Sequence, residues 1–411
     1  MKLAEVFDML LGDDVDVEFV AYDGSKTGRM GSDVRIEVFS ERAVAALVAA
    51  PGQLGLVRAY IDGDMDIEGD IYQAIERLGA FDPKSVTVSQ YARLAKEFGP
   101  LIRKRPGPPP EEVRLKGWRH GKKRDAEAIS HHYDVSNDFY RLVLGPTMAY
   151  TCAVYPELTS SLEVAQEEKF DLVCRKLDLK PGMRLLDVGC GWGGMVRHAV
   201  KEYGVTAIGV TLSEQQAAWG QRVIAEEGLE GAEIRFSDYR DVPEGGFDRI
   251  SSIGLTEHIG KKNYPDYFGF LYSKLQPTGR LLNHCITRSD PAHGTLKRRG
   301  FINRYIFPDG ELVHVGHLVD QMGRVGFEPQ HEENLRVHYA MTLRDWSDNL
   351  AANWDEAVEL VGLRKARVWR LYLAAARYGF ETDQIQLHQV LATRNAANAD
   401  SGMPLRPTWA S

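Results

Sequence analysis

The stretch LLDVGCGWGGM, residues 185–195, reads as an apolar strand running into a glycine-rich turn and then a helix. Gly189, Gly191 and Gly193 stand where a bound nucleoside would approach the backbone, because a Cβ at such positions collides with it. A bare GxGxG also fits a tight structural turn, so its surroundings decide. No GKS or GKT follows, which argues against a phosphate cradle of the P-loop type. A dinucleotide site calls for GxGxxG and an acid at the end of the second strand. The second strand here, TAIGV, runs out at Thr211 and Ser213 instead, and the acid lies inside the first motif as Asp187.

Outward from this turn, apolar strand-like runs alternate with amphipathic helical stretches: MVRHAVKEY, TAIGV, EQQAAWGQRVIAEE, IRFS, DRISSIG, YPDYFGFLYSKL and RLLNHCIT. That alternation specifies an α/β fold, a parallel sheet with helices on both faces. Nearer the N-terminus VEFVAYDG and VRIEVFS read as short strands, and ERAVAALVAA and DIYQAIERLGAF as helices, which suggests a smaller α+β domain. The Pro-rich KRPGPPPEE (104–112) can sustain neither a helix nor an inner strand and reads as a linker. The expected division is an N-terminal domain over residues 1–102, a linker over 103–125, the main domain over 126–395 and a tail over 396–411.

Composition narrows the function. Of 411 residues, 44% are hydrophobic and 26% charged, which is the balance of an ordinary globular protein. No apolar run approaches the length that spans a bilayer, and MKLAEVFDMLLGDD is too acidic for a signal peptide, so a cytoplasmic location is expected. Cys152, Cys174, Cys190 and Cys285 lack CxxC spacing, which points to reduced thiols and to no structural metal. A net charge of −8 argues against general nucleic-acid binding. One segment departs from that balance: Arg103, Lys104, Arg105, Arg114, Lys116, Arg119, Lys122, Lys123 and Arg124 face only Glu111 and Glu112. It fits a solvated linker equally well as a basic patch for anionic headgroups, where each cation contributes on the order of 1 kcal/mol.

In a doubly wound sheet, ligands collect beyond the carboxyl ends of the strands. Gly189, Gly191, Thr211, Gln216, Asp238, Tyr239, Arg240, Glu257 and His284 fall in that zone. Any one of them could be an ordinary loop or core residue; their joint placement is the signal. The segment HHYDVSNDFYRLVLGPTMAYTCAVY (131–155) adds Tyr133, Phe139, Tyr140, Tyr150 and Tyr155 near Cys152. Core packing accounts for most of these aromatics taken singly.

The LLDVG motif resembles the first motif of class I S-adenosylmethionine-dependent methyltransferases, which have a Rossmann-like fold. HYDVSNDFY, PTMAYTCAVY, LLDVGCGWGG, GVTLSEQQ, DYRDV, EHIGKKNYPDYF, NRYIFPDGEL and ENLRVHYAMTLRDW, spread over residues 115 to 395, resemble the cyclopropane fatty acid synthase family, including the mycolic acid cyclopropane synthases. LVRAYIDGDMDIEGD resembles the extra N-terminal domain of the phospholipid-acting members and implies a lipid-associating role there. The resemblance implies S-adenosylmethionine as methyl donor and a bicarbonate ion as base. It assigns the bicarbonate to the backbone at Cys152 and Ile286 and the side chains of Glu257, His284 and Tyr339. It places Tyr150 and Thr151 beside the methionine portion of the cofactor, Gly189 and Gly191 against the nucleoside, Thr211 and Gln216 near the ribose, and Tyr239 and Arg240 near the adenine.

An alkene has no proton to remove before it attacks the methyl group, so such an enzyme must stabilise a cation, exclude water and supply a base. The implied product is a cyclopropane or a methylene-branched acyl chain on a phospholipid at an anionic membrane surface, with the enzyme peripherally bound. Thr256 departs from the family, many of whose members carry an aromatic residue just before the glutamate, and this bears on which proton leaves. A methyltransferase for a soluble small molecule or a carrier-bound acyl chain, and a silent S-adenosylmethionine-binding protein, are the rival readings. A homodimer stays open, and residues 288–312 fit either a lid or a structural insertion.

Overall fold

The computed structural model describes residues 1–12, 15–50, 53–79, 96–98, 100, 107–113, 136–290, 300–308 and 310–409. The chain forms two compact units. The smaller comprises Met1–Arg114, Lys297–Pro308 and Leu350–Tyr378; the larger comprises Leu115–Leu296, Asp309–Asn349 and Gly379–Ser411. The units are thus interleaved along the chain. This differs from the linear division at residues 102 and 126, because apolar side chains from distant segments complete the smaller core.

The smaller unit holds the strands β1 (Glu18–Ala21), β2 (Lys26–Gly28), β3 (Arg35–Val38) and β4 (Met65–Glu68), in the order β2-β1-β3-β4. Helices Leu3–Leu11, Glu41–Ala49, Gln53–Asp62 and Ile71–Gly79 accompany them, so the expected α+β character is present. Phe7 stacks on Phe19 at 4.4 Å within a core that also takes Ala374, with Leu371 and Tyr378 packed against it, from the helix Leu363–Glu381. Glu111 and Glu112, which read as part of a linker, anchor ion pairs in this unit. Glu111 meets Arg364 at 2.9 Å, and the buried Glu112 meets Arg58 at 2.7 Å and Arg304 at 3.2 Å. The rest of the basic segment, at 103–105 and 114–124, lies outside the described residues.

In the larger unit seven strands make one sheet: β5 (Arg184–Val188), β6 (Thr206–Thr211), β7 (Ala232–Phe236), β8 (Phe247–Ile253), β9 (Leu275–Arg288), β10 (Glu328–Asn334) and β11 (Ile385–Arg394), in the order β10-β11-β9-β8-β5-β6-β7. Neighbours from β7 through to β9 pair in parallel. β11 runs antiparallel between β9 and β10, so the sheet is not wholly parallel. Strand and helix alternation reports burial but carries no direction, and β11 lies beyond the run of motifs from which a parallel sheet was expected.

Period-2 alternation splits each central strand between two cores. Leu185, Leu282 and Leu391 pack with Phe170, Val173 and Val196 on one face, while Leu186, Leu281 and Val390 pack with Ile250, Tyr267 and Phe268 on the other. Serine caps start the helices flanking the site: Ser161 accepts from the Val164 N–H, and Ser213 from the Gln216 N–H. Within the expected tail, the described residues 396–409 make contacts with the larger unit. Met403 and Trp409 pack on the core, the Trp409 carbonyl accepts from Arg175 at 3.0 Å, and that of Gly402 accepts from Arg280 at 2.9 Å.

Gly193 has φ +81°, and a Cβ there would lie 2.0 Å from Ile234 Cδ1 of β7. Gly193→Ala is therefore expected to destabilise the larger unit by about 1–3 kcal/mol, through the left-handed backbone and the displaced isoleucine. Urea unfolding followed by tryptophan fluorescence checks this; an unchanged midpoint would show that the turn accepts a side chain.

Candidate active site

The glycine turn is pinned to the end of β6, where the Gly189 and Cys190 N–H groups both donate to the Val210 carbonyl at 3.0 Å. Its three glycines do different things. Gly191, at φ +55°, opens on space: a Cβ there would meet nothing within 4 Å among the described residues, as a backbone that receives a ligand requires. A Cβ at Gly189 would meet Leu255 at 3.1 Å, and one at Gly193 would meet Ile234. Packing thus gives those two glycines a structural reason of their own, while Gly191 leaves open space among the described residues.

At the end of β6, the Thr211 hydroxyl donates to Gln216 Oε1 at 2.7 Å, and both side chains are buried. Beyond β7, Asp238 accepts from the Arg240 backbone at 2.9 Å and from its guanidinium at 2.8 Å. Tyr239 lies edge-on to Tyr267 and Phe270, with ring centres 5.2 and 5.3 Å away. Thr211, Gln216, Tyr239 and Arg240 thus border one edge of the sheet's carboxyl end, each held by a neighbour. Asp187 turns inward: it accepts from Ser251 at 2.6 Å, and burial pushes its carboxyl up to about 6.

Glu257 sits in the short helix Thr256–Ile259 that follows β8. Its Oε1 accepts the Ile286 N–H at 2.6 Å, while Oε2 is buried with no hydrogen-bond partner among the described residues. Burial pushes this carboxyl up to about 7, and the Ile286 N–H only partly offsets the shift. The Ile286 N–H, expected to face a bound anion, donates to this carboxylate. His284 lies within β9 rather than after it, two residues from Ile286 and therefore on the same face of the strand. Its Nδ1 is 3.2 Å from Gln389 Nε2, and its Nε2 is buried and without a partner among the described residues. Burial, then the Lys169 and Lys176 ammonium groups, hold the imidazole well below its ordinary range.

The segment holding Tyr150, Thr151 and Cys152 closes on these groups. The Gly254 N–H donates to the His284 carbonyl at 2.8 Å, and a Cβ on Gly254 would lie 2.9 Å from Thr151 Cγ2. The Cys152 thiol is buried 3.1 Å from the Ala153 carbonyl, and burial pushes it far above the thiol range, so it is no thiolate. A chain of aromatic rings runs from the glycine turn: Trp192 to Tyr140 at 4.8 Å, Tyr140 to Tyr150 at 5.8 Å, Tyr150 to Trp346 at 5.3 Å, Trp346 to Tyr339 at 6.1 Å and Tyr339 to Phe380 at 4.5 Å. Tyr155 is held apart by Asp345, whose carboxylate accepts its hydroxyl at 2.8 Å. Tyr133, and residues 291–299 of the expected lid, lie outside the described residues.

Four residues that reading the sequence did not single out belong here: Lys169, Lys176, Gln389 and Trp346. Lys169 donates to Thr151 Oγ1 at 3.0 Å, and burial lowers its ammonium to about 7. Lys176 donates to Gln389 Oε1 at 2.7 Å and pairs with Glu333. Both lysines are fully buried in the helix Leu162–Leu177. The signal was present, since Lys169 follows Ala165 and Lys176 follows Leu172 by four residues, which puts both on the apolar face. Nothing local marks Gln389, whose partners come from other segments.

A family model described as mycolic acid cyclopropane synthetase matches residues 120–390. The probable fatty acid methyltransferase Rv3720 of Mycobacterium tuberculosis is 52% identical over 406 residues, covering 96% of this chain and 94% of the relative. The cyclopropane-fatty-acyl-phospholipid synthase of Escherichia coli (strain K12) is 34% identical over 357 residues, covering 85% of this chain and 86% of the relative. Among solved structures, mycolic acid cyclopropane synthase CmaA1 complexed with SAH and CTAB matches with a TM-score of 0.61 at 34% identity, over 65% of this chain and 97% of that one. The larger unit therefore has the class I S-adenosylmethionine methyltransferase fold, and the chain belongs to the mycolic acid cyclopropane synthetase family.

Proposed function

We propose that this S-adenosylmethionine-dependent methyltransferase adds a one-carbon unit to the cis double bond of an unsaturated phospholipid acyl chain, and that a bound bicarbonate takes the departing proton. The observation that carries this reading is two buried atoms without a hydrogen-bond partner among the described residues, Glu257 Oε2 in the helix after β8 and His284 Nε2 within the neighbouring β9. A buried polar atom left unpaired costs about 1–3 kcal/mol, so two such atoms on neighbouring elements favour a small polar guest. The relatives' names supply the substrate class: one is a fatty acid methyltransferase, another a fatty-acyl-phospholipid synthase.

Tyr150, Thr151, Gly189, Gly191, Thr211, Gln216, Tyr239 and Arg240 would hold the cofactor, and Glu257, His284 and Tyr339, with the backbone around Cys152 and Ile286, the bicarbonate. When bound, the first supplies an electrophilic methyl group and the second a compact oxygen base. Tyr150, Trp346 and Tyr339 offer aromatic faces, and a desolvated face lowers the energy of a nearby cation by about 2 kcal/mol. Glu257, half-protonated near neutrality, can hold a proton at Oε2. Thr256, buried beside it, donates its hydroxyl to Asn283 Oδ1 at 2.6 Å. It thus leaves a small residue where an aromatic would crowd the cation, and the choice between a cyclopropane and a methylene-branched product turns on that edge. No helix among the described residues is long and apolar enough to cross a membrane. The proposed membrane contact is peripheral and rests on the nine basic residues between Arg103 and Arg124.

Incubating the protein with S-adenosylmethionine and dioleoyl phosphatidylglycerol vesicles is expected to add one CH₂ to the lipid by mass spectrometry, and NMR then separates a ring from a methylene branch. No gain, with cofactor binding intact, would reject the phospholipid substrate in favour of a carrier-bound chain or a soluble molecule. Glu257→Gln is expected to lower kcat by about 100-fold or more with the cofactor Kd unchanged. A fully active variant would discard the anion site.

The same substitution tests the electrostatics. With its carboxyl at about 7 in the folded state, Glu257 binds more protons folded than unfolded between the ordinary carboxyl range and neutrality, so its ionisation lowers stability as pH rises. The penalty is fully present above pH ~7 and amounts to roughly 3 kcal/mol. Glu257→Gln should therefore raise the Tm of the ligand-free protein far more at pH 8 than at pH 5; equal shifts at both would contradict the raised value.

A further inference from the structure

We propose that Lys176 and Gln389 are positioning residues that set the tautomer of His284, so that the neutral imidazole carries its proton on Nε2 and donates from there. Gln389 lies directly opposite His284 where β11 pairs with β9, and Lys176 reaches the same amide from the end of the helix Leu162–Leu177. The two ends of a glutamine amide are ordinarily assigned only from their partners. Here one partner leaves no choice. An ammonium has three hydrogens and no acceptor, so the Gln389 atom 2.7 Å from Lys176 Nζ is the carbonyl oxygen Oε1. Glu333, paired with the same ammonium, opposes the loss of its proton that burial favours.

With Oε1 committed to Lys176, the amide presents its NH₂ to His284, with Nε2 at 3.2 Å from Nδ1. An NH₂ donates and does not accept, so Nδ1 must hold the lone pair. An imidazole that accepts at Nδ1 bears its single proton on Nε2, the atom that is buried without a partner among the described residues. Burial, and then the Lys169 and Lys176 ammonium groups, oppose a second proton on the ring, which keeps it neutral. His284 is thus built as a hydrogen-bond donor to an oxyanion and not as the base that removes the substrate proton; in the cluster that leaves Glu257 to hold a proton. The tautomer follows from the geometry, while its catalytic consequence rests on the oxyanion reading given under Proposed function.

The test uses ¹⁵N-histidine-labelled full-length protein saturated with S-adenosylhomocysteine, with the His284 signals assigned by their loss in His284→Gln. Long-range ¹H–¹⁵N correlation is expected to show His284 protonated at Nε2 and bare at Nδ1, and Lys176→Arg, which keeps a donor-only group, should preserve that pattern. Gln389→Glu places an acceptor against Nδ1; it is expected to draw a proton to that nitrogen and to cut kcat by about 100-fold or more, with the KM for S-adenosylmethionine held within about twofold. A wild-type His284 protonated at Nδ1, or a Gln389→Glu variant that leaves Nδ1 bare, would overturn the proposal. A proton moved to Nδ1 with kcat undiminished would leave the tautomer standing and overturn the oxyanion reading instead.

Discussion

A buried ammonium group can only donate, and Lys176 lies with Lys169, whose ammonium burial lowers to about 7, on the inner face of a single helix beneath the site. Taking such a charge out of water costs several kcal/mol unless every atom facing it can accept. Its neighbours are arranged accordingly: Thr151 turns its hydroxyl oxygen to Lys169, and Gln389 its carbonyl and Glu333 its carboxylate to Lys176. Lys169 also lies 3.8 Å from the centre of the Phe170 ring, a face that attracts a cation. The orientation of the groups around the site follows from these two charges.

Burial, aided at His284 by those charges, sets the protonation of the site. Their field adds to burial in holding His284 neutral, while burial alone lifts Glu257 towards neutrality. One group is kept from gaining a proton and the other from losing one, by different means. A pair brought so near neutrality can orient an anion and exchange a proton with it without carrying a net charge into a dry pocket. The aromatic chain from Trp192 to Phe380 adds apolar surface to the same unit, and a low local dielectric is the environment in which such shifts persist.

The smaller unit follows another rule. Its four strands are short, and its core is completed by apolar side chains from the helix Leu363–Glu381, hundreds of residues away in sequence. Glu112, buried among Arg58, Arg304 and the hydroxyl of Tyr305, joins the end of the proline-rich stretch to this unit. Removing Glu112 would leave Arg58 and Arg304 without this shared carboxylate, which makes the cluster a specific clasp.

Local pattern was enough for much of this protein. The strand, turn and helix over 185–195, the later strand and helix alternation and the α+β pattern of the first residues depend on side-chain period and on glycine, both properties of neighbouring residues. Glu257 and Tyr339 stood out as candidates in EHIGKKNYPDYF and ENLRVHYAMTLRDW, and His284 as a polar residue in the apolar run RLLNHCIT. What only the tertiary structure decided was set by contacts between distant segments. The direction of β11, the two late segments in the smaller core, the packing of Trp409 and the pairing of Gln389 with Lys176 each join residues far apart in the chain. Lys169 and Lys176 fall between the two cases: their helical spacing marks them as buried, but what a buried lysine donates to is fixed only when the sheet brings Thr151 and Gln389 within reach.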